Sequence, residues 1–197
     1  MDIEEVWRRK YRMELETPRF LLRPLTAADV DWLADLATDP EVNRFLWDGP
    51  SPPEEARRGA EAIVYLDHLR LQFGHWAIQD KGTGAIHGWT ELSKLRPWWG
   101  PSDEIGLSYV LRRASWKRGI ATEAGGRLLQ YAFEVAQLDR VMAVVMAGNL
   151  ASKRVLLKLG MRCIKRAESA EGKELEYFRI DAPAGPDVAG RSSREPI

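Results

Sequence analysis

The chain has 197 residues, 45% of them hydrophobic and 29% charged, enough for one domain with a substantial core. Its 29 Lys+Arg balance its 29 Asp+Glu, so the basic excess of a general nucleic-acid binder is absent. A lone cysteine, Cys163, excludes an intrachain disulfide, and His68, His75 and His87 do not fall at metal-ligand spacing, so no metal is expected.

Met1 to Lys10 begins acidic and has no apolar stretch of the signal-peptide kind, and no apolar run approaches the roughly 20 residues of a membrane span. A cytoplasmic protein is expected, without nucleic-acid or membrane partners. In residues 1–15, Val6, Trp7, Tyr11 and Leu15 recur at roughly helical spacing, which reads as an N-terminal extension lying on the body or on a partner subunit. Residues 19–25 read as a strand. Residues 26–39 read as a helix capped by Thr26, with Asp29 three residues on and Leu33 and Leu36 on one face. A turn cluster at 48–59 precedes a second helix reaching about Leu71. Residues 73–80 and 85–93, joined through Lys81 to Gly84, form a hairpin. After a loop at 96–103, residues 104–111 make a strand with Ile105, Leu107, Tyr109 and Leu111 on one face.

A helix follows Gly119 and runs to Glu134. Residues 140–147 form a continuous apolar run, the pattern of a strand buried on both faces. Residues 149–160 form a helix that starts at Asn149 and stops at Gly160. Strands at 161–167, which holds Cys163, and 174–180 close a domain spanning 16–181. Residues 182–197, rich in Pro, Gly and Ser, read as a disordered tail.

The chemistry concentrates where the 104–111 strand meets its helix. A helix N-terminus carries unpaired N–H groups and about half a positive charge. Arg112, Arg113, Lys117 and Arg118 lie just ahead of one, an unfavourable arrangement until an anion arrives. Gly119 lets the backbone approach such an anion closely. Gly125 and Gly126 each cost about 1 kcal/mol relative to alanine inside a helix, which a bound ligand chain or a close strand crossing would explain. Taken alone, the segment also fits a solvated basic loop. Its context favours the anion site, because the loop leaves a strand and opens a helix. The helix start at Asn149 follows a neighbouring strand, so two helix N-termini meet at one sheet opening.

The stretches EIGLSYVLRRASWKRGIATEAGGRLLQYAFE and LDRVMAVVMAGNLASKRVLLKLGM together closely resemble the GNAT superfamily of acyl-CoA-dependent N-acyltransferases. Within it they are most similar to the RimJ/RimL-type branch, which acetylates N-terminal amines of ribosomal proteins. The branch's W-G-x-G-x-A-T-E-A is Trp116 to Ala124 here, with Lys117 in place of the first glycine. Its N-x-x-S and K-L-G-F elements are Asn149 with Ser152, and Lys158-Leu159-Gly160-Met161. The early TPRFLLRPLTAADV is also similar, so the resemblance covers residues 17–180.

The resemblance implies an α/β (α+β) fold: a mixed, mostly antiparallel central sheet with splayed central strands and helices on both faces. It implies acetyl-CoA as co-substrate. The pyrophosphate would sit on backbone N–H groups from Arg118 through Gly119, Ile120 and Ala121 to Thr122, with Lys117 among the cations that supply countercharge. The pantetheine arm would pair with the backbone of Tyr109, Val110 and Leu111. Lys153 and Arg154 are candidates for the adenosine 3′-phosphate, or an exposed basic helix face.

Moving an acetyl group from a thioester to an amine requires a neutral amine, a polarised carbonyl, a donor for the departing thiolate and alignment of the reactants. Many relatives supply the thiolate donor from a tyrosine seven residues after the asparagine, which is Leu156 here. Ser152 is the substitute the branch implies, unless it merely bonds backbone in the first helical turn. Asn149 is an N-cap, a pantetheine contact, or both. Glu104 is the expected base, with a structural ion pair as its alternative; another family position for a base is Val144 and is ruled out. Glu123 is expected to complement the helix dipole. Trp98 and Trp99 are placed at the acceptor pocket, where they would stack on the acceptor or pack as a lid or dimer contact.

The expected function is acetyl-CoA-dependent N-acetylation of a primary amine, either a protein N-terminus or a small molecule. Asp39 to Glu41 and Asp48 are possible carboxylates for a cationic small acceptor. A non-catalytic acyl-CoA-binding module is the alternative from another class. A homodimer through the extension or the tandem tryptophans is left open.

Overall fold

The computed structural model describes residues 13–46, 49–69, 73–95, 103–169 and 171–183. Among the described residues there are eight strands: β1 (Leu15–Glu16), β2 (Phe20–Pro24), β3 (His75–Asp80), β4 (Ile86–Lys94), β5 (Ile105–Leu111), β6 (Arg140–Met146), β7 (Arg162–Glu168) and β8 (Glu174–Asp181). They form one sheet in the order β1-β2-β3-β4-β5-β6-β8-β7. Neighbours are antiparallel except β5 and β6, which are parallel and share one register pair, Gly106 with Met142. The β4–β5 ladder, by contrast, runs unbroken from Gly88–Leu111 to Lys94–Ile105. β5 and β6 therefore touch near their starts and diverge toward their ends, leaving a seam in the middle of the sheet.

The α-helices are α1 (Val30–Thr38), α2 (Pro40–Asn43), α3 (Pro53–Leu69), α4 (Ile120–Glu134) and α5 (Leu150–Lys158). Period-two alternation sends side chains to two cores. Leu22, Trp76, Leu92 and Leu107 pack with Ile120, Leu128 and Tyr131 of α4 and Leu156 of α5. On the other face Ala77 and Val110 pack with Val30, Leu33 and Leu36 of α1 and Ala60 and Val64 of α3. Each fully buried leucine of this kind contributes about 2 kcal/mol. The splayed, mostly antiparallel sheet with helices on both faces is the fold the resemblance implies.

Three differences from the sequence reading have local causes. Leu15 is not the end of a helical extension: it pairs with Leu22 and is 1% exposed. Val6, Trp7 and Tyr11 lie outside the described residues. The segment after α1 closes into the single-turn α2, because Asp39 Oδ1 accepts from the N–H groups of Glu41 (2.9 Å) and Val42 (3.3 Å) and Pro40 presets the first turn. Gly125 is explained by packing rather than by a ligand: a Cβ there would lie 3.0 Å from Leu159 Cδ1 and 3.6 Å from Leu107 Cδ2. Gly126 has ordinary room, with Leu159 at 3.7 Å.

Asp29 anchors the start of α1, which opens as one 3₁₀ turn over Ala27–Asp29. Its carboxylate accepts from Arg23 twice (2.8 and 2.7 Å), from the Thr26 N–H and hydroxyl (2.7 and 3.0 Å) and from Trp32 Nε1 (2.7 Å). Burial alone would raise its pKa; these donors outweigh burial and hold it at about 2.

Candidate active site

A cavity of about 540 Å³ opens at the seam, within the range of small-molecule sites. Its walls are the end of β5, the loop from Ser115 to Gly119, the first turn of α4, one face of α5 and the α2 segment from Glu41 to Leu46. Phe45 packs across Gly148, where a Cβ would lie 3.4 Å from Phe45 Cε1, and so brings the α2 segment over the seam.

The loop leaves β5 through a 3₁₀ turn at Arg113–Ser115 and is tied back by Trp116 Nε1, which donates to the Leu111 carbonyl at 2.9 Å. Lys117 and Gly119 both take left-handed backbone, at φ 59° and 75°. Lysine therefore holds the conformation that the branch's glycine would adopt freely, at a cost of roughly 1 kcal/mol. Gly119 is the N-cap of α4 and has no side chain with which to cap it. The first intrahelical bond is Glu123 N–H to the Gly119 carbonyl at 3.0 Å, so the N–H groups of Ile120, Ala121 and Thr122 have no intrahelical partner. Lys117, Arg154 and Lys158 also line the cavity, so this helix end presents unpartnered N–H donors and positive charge to it.

Beneath the loop, His87 Nδ1 lies 2.8 Å from the buried Ser115 hydroxyl, while its Nε2 is 3.6 Å from Asp80 Oδ2, beyond hydrogen-bond range. A Cβ on Gly88 would collide with the Val110 carbonyl and Leu111 Cα, so glycine keeps the end of β5 in place.

Most residues expected at the site meet there. Tyr109, Val110, Leu111, Lys117, Gly119, Ile120, Ala121, Thr122, Asn149, Ser152 and Arg154 all line the cavity. Arg118 does not; its carbonyl accepts from Arg19 Nη1 at 3.2 Å. Lys153 does not either: its ammonium sits 2.9 Å from Glu176, a carboxylate 6% exposed, which corrects the expectation that it meets the 3′-phosphate. Asn149 is an N-cap, its Oδ1 accepting from the Ser152 N–H at 3.1 Å. Trp98 and Trp99 lie outside the described residues. Glu123 binds the β1–β2 turn: it accepts from Thr17 Oγ1 (2.7 Å), Arg19 N (3.0 Å) and Arg19 Nε (2.7 Å). Burial opposes its charge, and these donors hold its carboxyl below the usual range.

Glu104 lies at the other end of β5. Arg140 grips it at 2.8 Å (Nη2–Oε1) and 2.9 Å (Nε–Oε2), joining β5 and β6 where they touch, and it does not line the cavity. The expectation of Glu104 as base gives way to its alternative, the structural ion pair.

The hydroxyl of Tyr109 is the functional group that sequence reasoning missed. It spans the seam to lie 2.8 Å from Ser152 Oγ. Burial pushes its phenol up to about 12, against the lowering effect of the Ser152 bond, so it is neutral near pH 7. Alternation along β5 placed Tyr109 on the α4 face, but nothing in the sequence pairs it with a serine 43 residues away.

Among the described residues no helix is long and apolar enough to cross a membrane. The model of the acetyltransferase (GNAT) domain matches residues 19–162. The chain is 28% identical over 169 residues to an uncharacterized N-acetyltransferase, p20, of Bacillus licheniformis, covering 83% of this chain and 92% of that protein. It is 26% identical over 157 residues to an FsC-acetyl coenzyme A-N(2)-transacetylase of Aspergillus fumigatus, covering 77% and 66%. The crystal structure of a GNAT-family acetyltransferase from Bacillus anthracis superposes with a TM-score of 0.72 at 20% identity, covering 86% of this chain and 98% of that one. An uncapped helix facing a parted sheet, and a domain match over most of the folded residues, lead to one conclusion: the chain belongs to the GNAT family of acyl-CoA-dependent acetyltransferases.

Proposed function

We propose that the chain transfers acetyl from acetyl-CoA directly to a primary amine in the manner of RimJ/RimL-type enzymes, with a protein N-terminal amine as acceptor. The observation that carries this reading is the uncapped N-terminus of α4, opening on a cavity that reaches the β5–β6 seam. The N–H groups of Ile120 to Thr122 hold the pyrophosphate, with Lys117 and Arg154 as countercharge. The cut-off β5–β6 ladder leaves backbone of Tyr109 to Leu111 to orient the pantetheine arm. The thioester supplies an activated acetyl group.

Tyr109 and Ser152 meet the departing sulfur. A phenol raised to about 12 is a weaker acid than a thiol, so outright proton transfer to the departing thiolate is unfavourable. The pair therefore stabilises the thiolate by hydrogen bonding instead of surrendering a proton to it. A small cationic amine is the second reading. It is favoured by Glu41, which lines the cavity, whereas Asp39 is engaged as the α2 cap.

The test is thiol release from acetyl-CoA against N-terminal peptides of ribosomal proteins, polyamines, aminoglycosides and amino acids. Turnover with the peptides and not the polyamines supports the first acceptor class. The converse supports the second. Acetyl-CoA binding without turnover in any class returns the chain to a binding module.

A further inference from the structure

We propose that Asp67, His75 and Glu91 form the proton-accepting chain that neutralises the acceptor amine, with Glu91 the residue that meets it. This rests on the acetyltransferase reading above and adds the base that Glu104 does not supply.

The three side chains converge from α3, β3 and β4. The Asp67 carboxylate accepts the His75 backbone N–H at 2.8 Å, and both its oxygens lie 3.1 Å from His75 Nδ1. His75 Nε2 lies 3.5 Å from Glu91 Oε1. Gly74 makes room for this carboxylate, since a Cβ there would lie 3.1 Å from Asp67 Oδ2. Trp89 meets the imidazole edge-on, with ring centroids 5.0 Å apart and planes at 76°.

Side-chain exposures are 6% for Asp67, 8% for His75 and 13% for Glu91. Keeping ionisable groups this dry costs several kcal/mol, and an apolar trio would pack at no such cost. No group of three or more His, Cys, Asp and Glu among the described residues is arranged to hold a metal ion. A histidine between two carboxylates is suited to receiving a proton and passing it on.

Its place in the sheet sets Glu91 one strand away from the seam. Glu91 stands opposite Ser108 in the β4–β5 ladder, two residues beyond the last β5–β6 register pair at Gly106. Alternation puts Glu91 and Ser108 on the α3 face with Val110, and Tyr109 on the opposite face, where it reaches Ser152. A ligand laid along β5 would thus pass the Tyr109–Ser152 pair on one face of the sheet, while the Glu91 carboxylate stands one strand away on the other face, outside the lining of the cavity. The amine arrives on the Glu91 face and sulfur departs toward the Tyr109 face.

The matching substrate class is a protonated primary amine, whose N–H donors a carboxylate such as Glu91 would accept. One ammonium proton passes to the Glu91–His75 pair, and the neutral nitrogen attacks the carbonyl carbon. The C–N bond forms and the C–S bond breaks with its electron pair going to sulfur. The second proton lost by nitrogen ends on that sulfur, giving a thiol, and the pair returns its own proton to water.

The test uses the full chain loaded with CoA and n-butylammonium chloride as the cationic probe. The ring ¹⁵N signals of His75, assigned by their loss in His75→Gln, are followed during the titration. A saturable shift, with probe binding about tenfold weaker in Glu91→Gln and acetyl-CoA affinity within about twofold of the unmutated chain, is the expected result. Ring signals that respond neither to the amine nor to Glu91→Gln, in a chain that binds acetyl-CoA, overturn this proposal alone. A chain that fails to bind acetyl-CoA overturns the acetyltransferase reading and this proposal with it.

Discussion

Two helices begin at the mouth of the seam, and their first turns are opposites. α5 satisfies most of its own first turn: Asn149 Oδ1 takes the Ser152 N–H at 3.1 Å, the Leu150 N–H reaches the Gly148 carbonyl at 3.0 Å, and Lys153 N–H closes on the Asn149 carbonyl at 3.1 Å. α4 begins at a left-handed glycine with no capping side chain and with cations around it. Sequence presents both as helix starts beside an opening. What separates them is whether the chain supplies its own acceptor, because an N-terminus already capped has little left to offer an anion.

α1 starts in a third way, held by a buried carboxylate, and the largest effect is expected there. Asp29→Ala should cost about 3 kcal/mol of stability, since it strands Arg23 and the Trp32 indole N–H without their acceptor. Denaturant unfolding measures it. Asp29 titrates at about 2 when folded and near 3.8 when unfolded, so its contribution, about 2 kcal/mol, is complete above pH 4 and lost as pH falls from about 4 toward 2. Unfolding at pH 5 and pH 2.5 should show a smaller acid loss in Asp29→Asn than in the unmutated chain.

Next comes the open helix. Gly119→Val forces a β-branched residue to φ 75° and should weaken acetyl-CoA binding by about 10- to 100-fold in calorimetry. An unchanged affinity would mean that the α4 end is not the anion site. At the closed helix, Asn149→Ala should cost about 1 kcal/mol of stability and change acetyl-CoA affinity less than about tenfold. A larger loss of affinity would show that Asn149 touches the ligand as well as capping. Smallest of all, Lys117→Gly should raise stability by up to about 1 kcal/mol by relieving its left-handed backbone. It should also weaken acetyl-CoA binding a few-fold and flatten the salt dependence of that binding.

The uncapped helix start at the end of β5 was legible because its signals are local: a strand, cations, a glycine and a helix in unbroken succession from Ile105 to Ile120. The apolar run of β6 was legible for the same reason, and Val141 and Ala143 are buried at 0% and 2%. What sequence hid depends on register and on distant partners. Glu104 reads as a catalytic carboxylate until Arg140, 36 residues later, is placed against it. Lys153 reads as a phosphate ligand until β8 brings Glu176 to it. His75 and Glu91 belong to a hairpin whose register shifts between Ile78 and Gln79, and Asp67 comes from a separate helix, so no linear spacing announces their contact. Gly125 left a bound ligand chain and a close strand crossing open, and only the structure names the neighbour that requires it, Leu159.

The single register pair between β5 and β6 also governs how the molecule would breathe. The sheet behaves as two leaves, β1–β5 and β6–β8, bound along one short spine at Gly106 and Met142 and riveted there by Glu104 and Arg140. At the free margin the leaves are latched through the Tyr109 hydroxyl and Ser152. A chain-like ligand laid between them acts as a missing strand, and occupancy becomes stability: about 2.7 kcal/mol at a ligand concentration one hundred times its dissociation constant. The backbone amides bordering the gap, from Ser108 to Leu111, are the ones whose exchange with solvent should slow most when it fills.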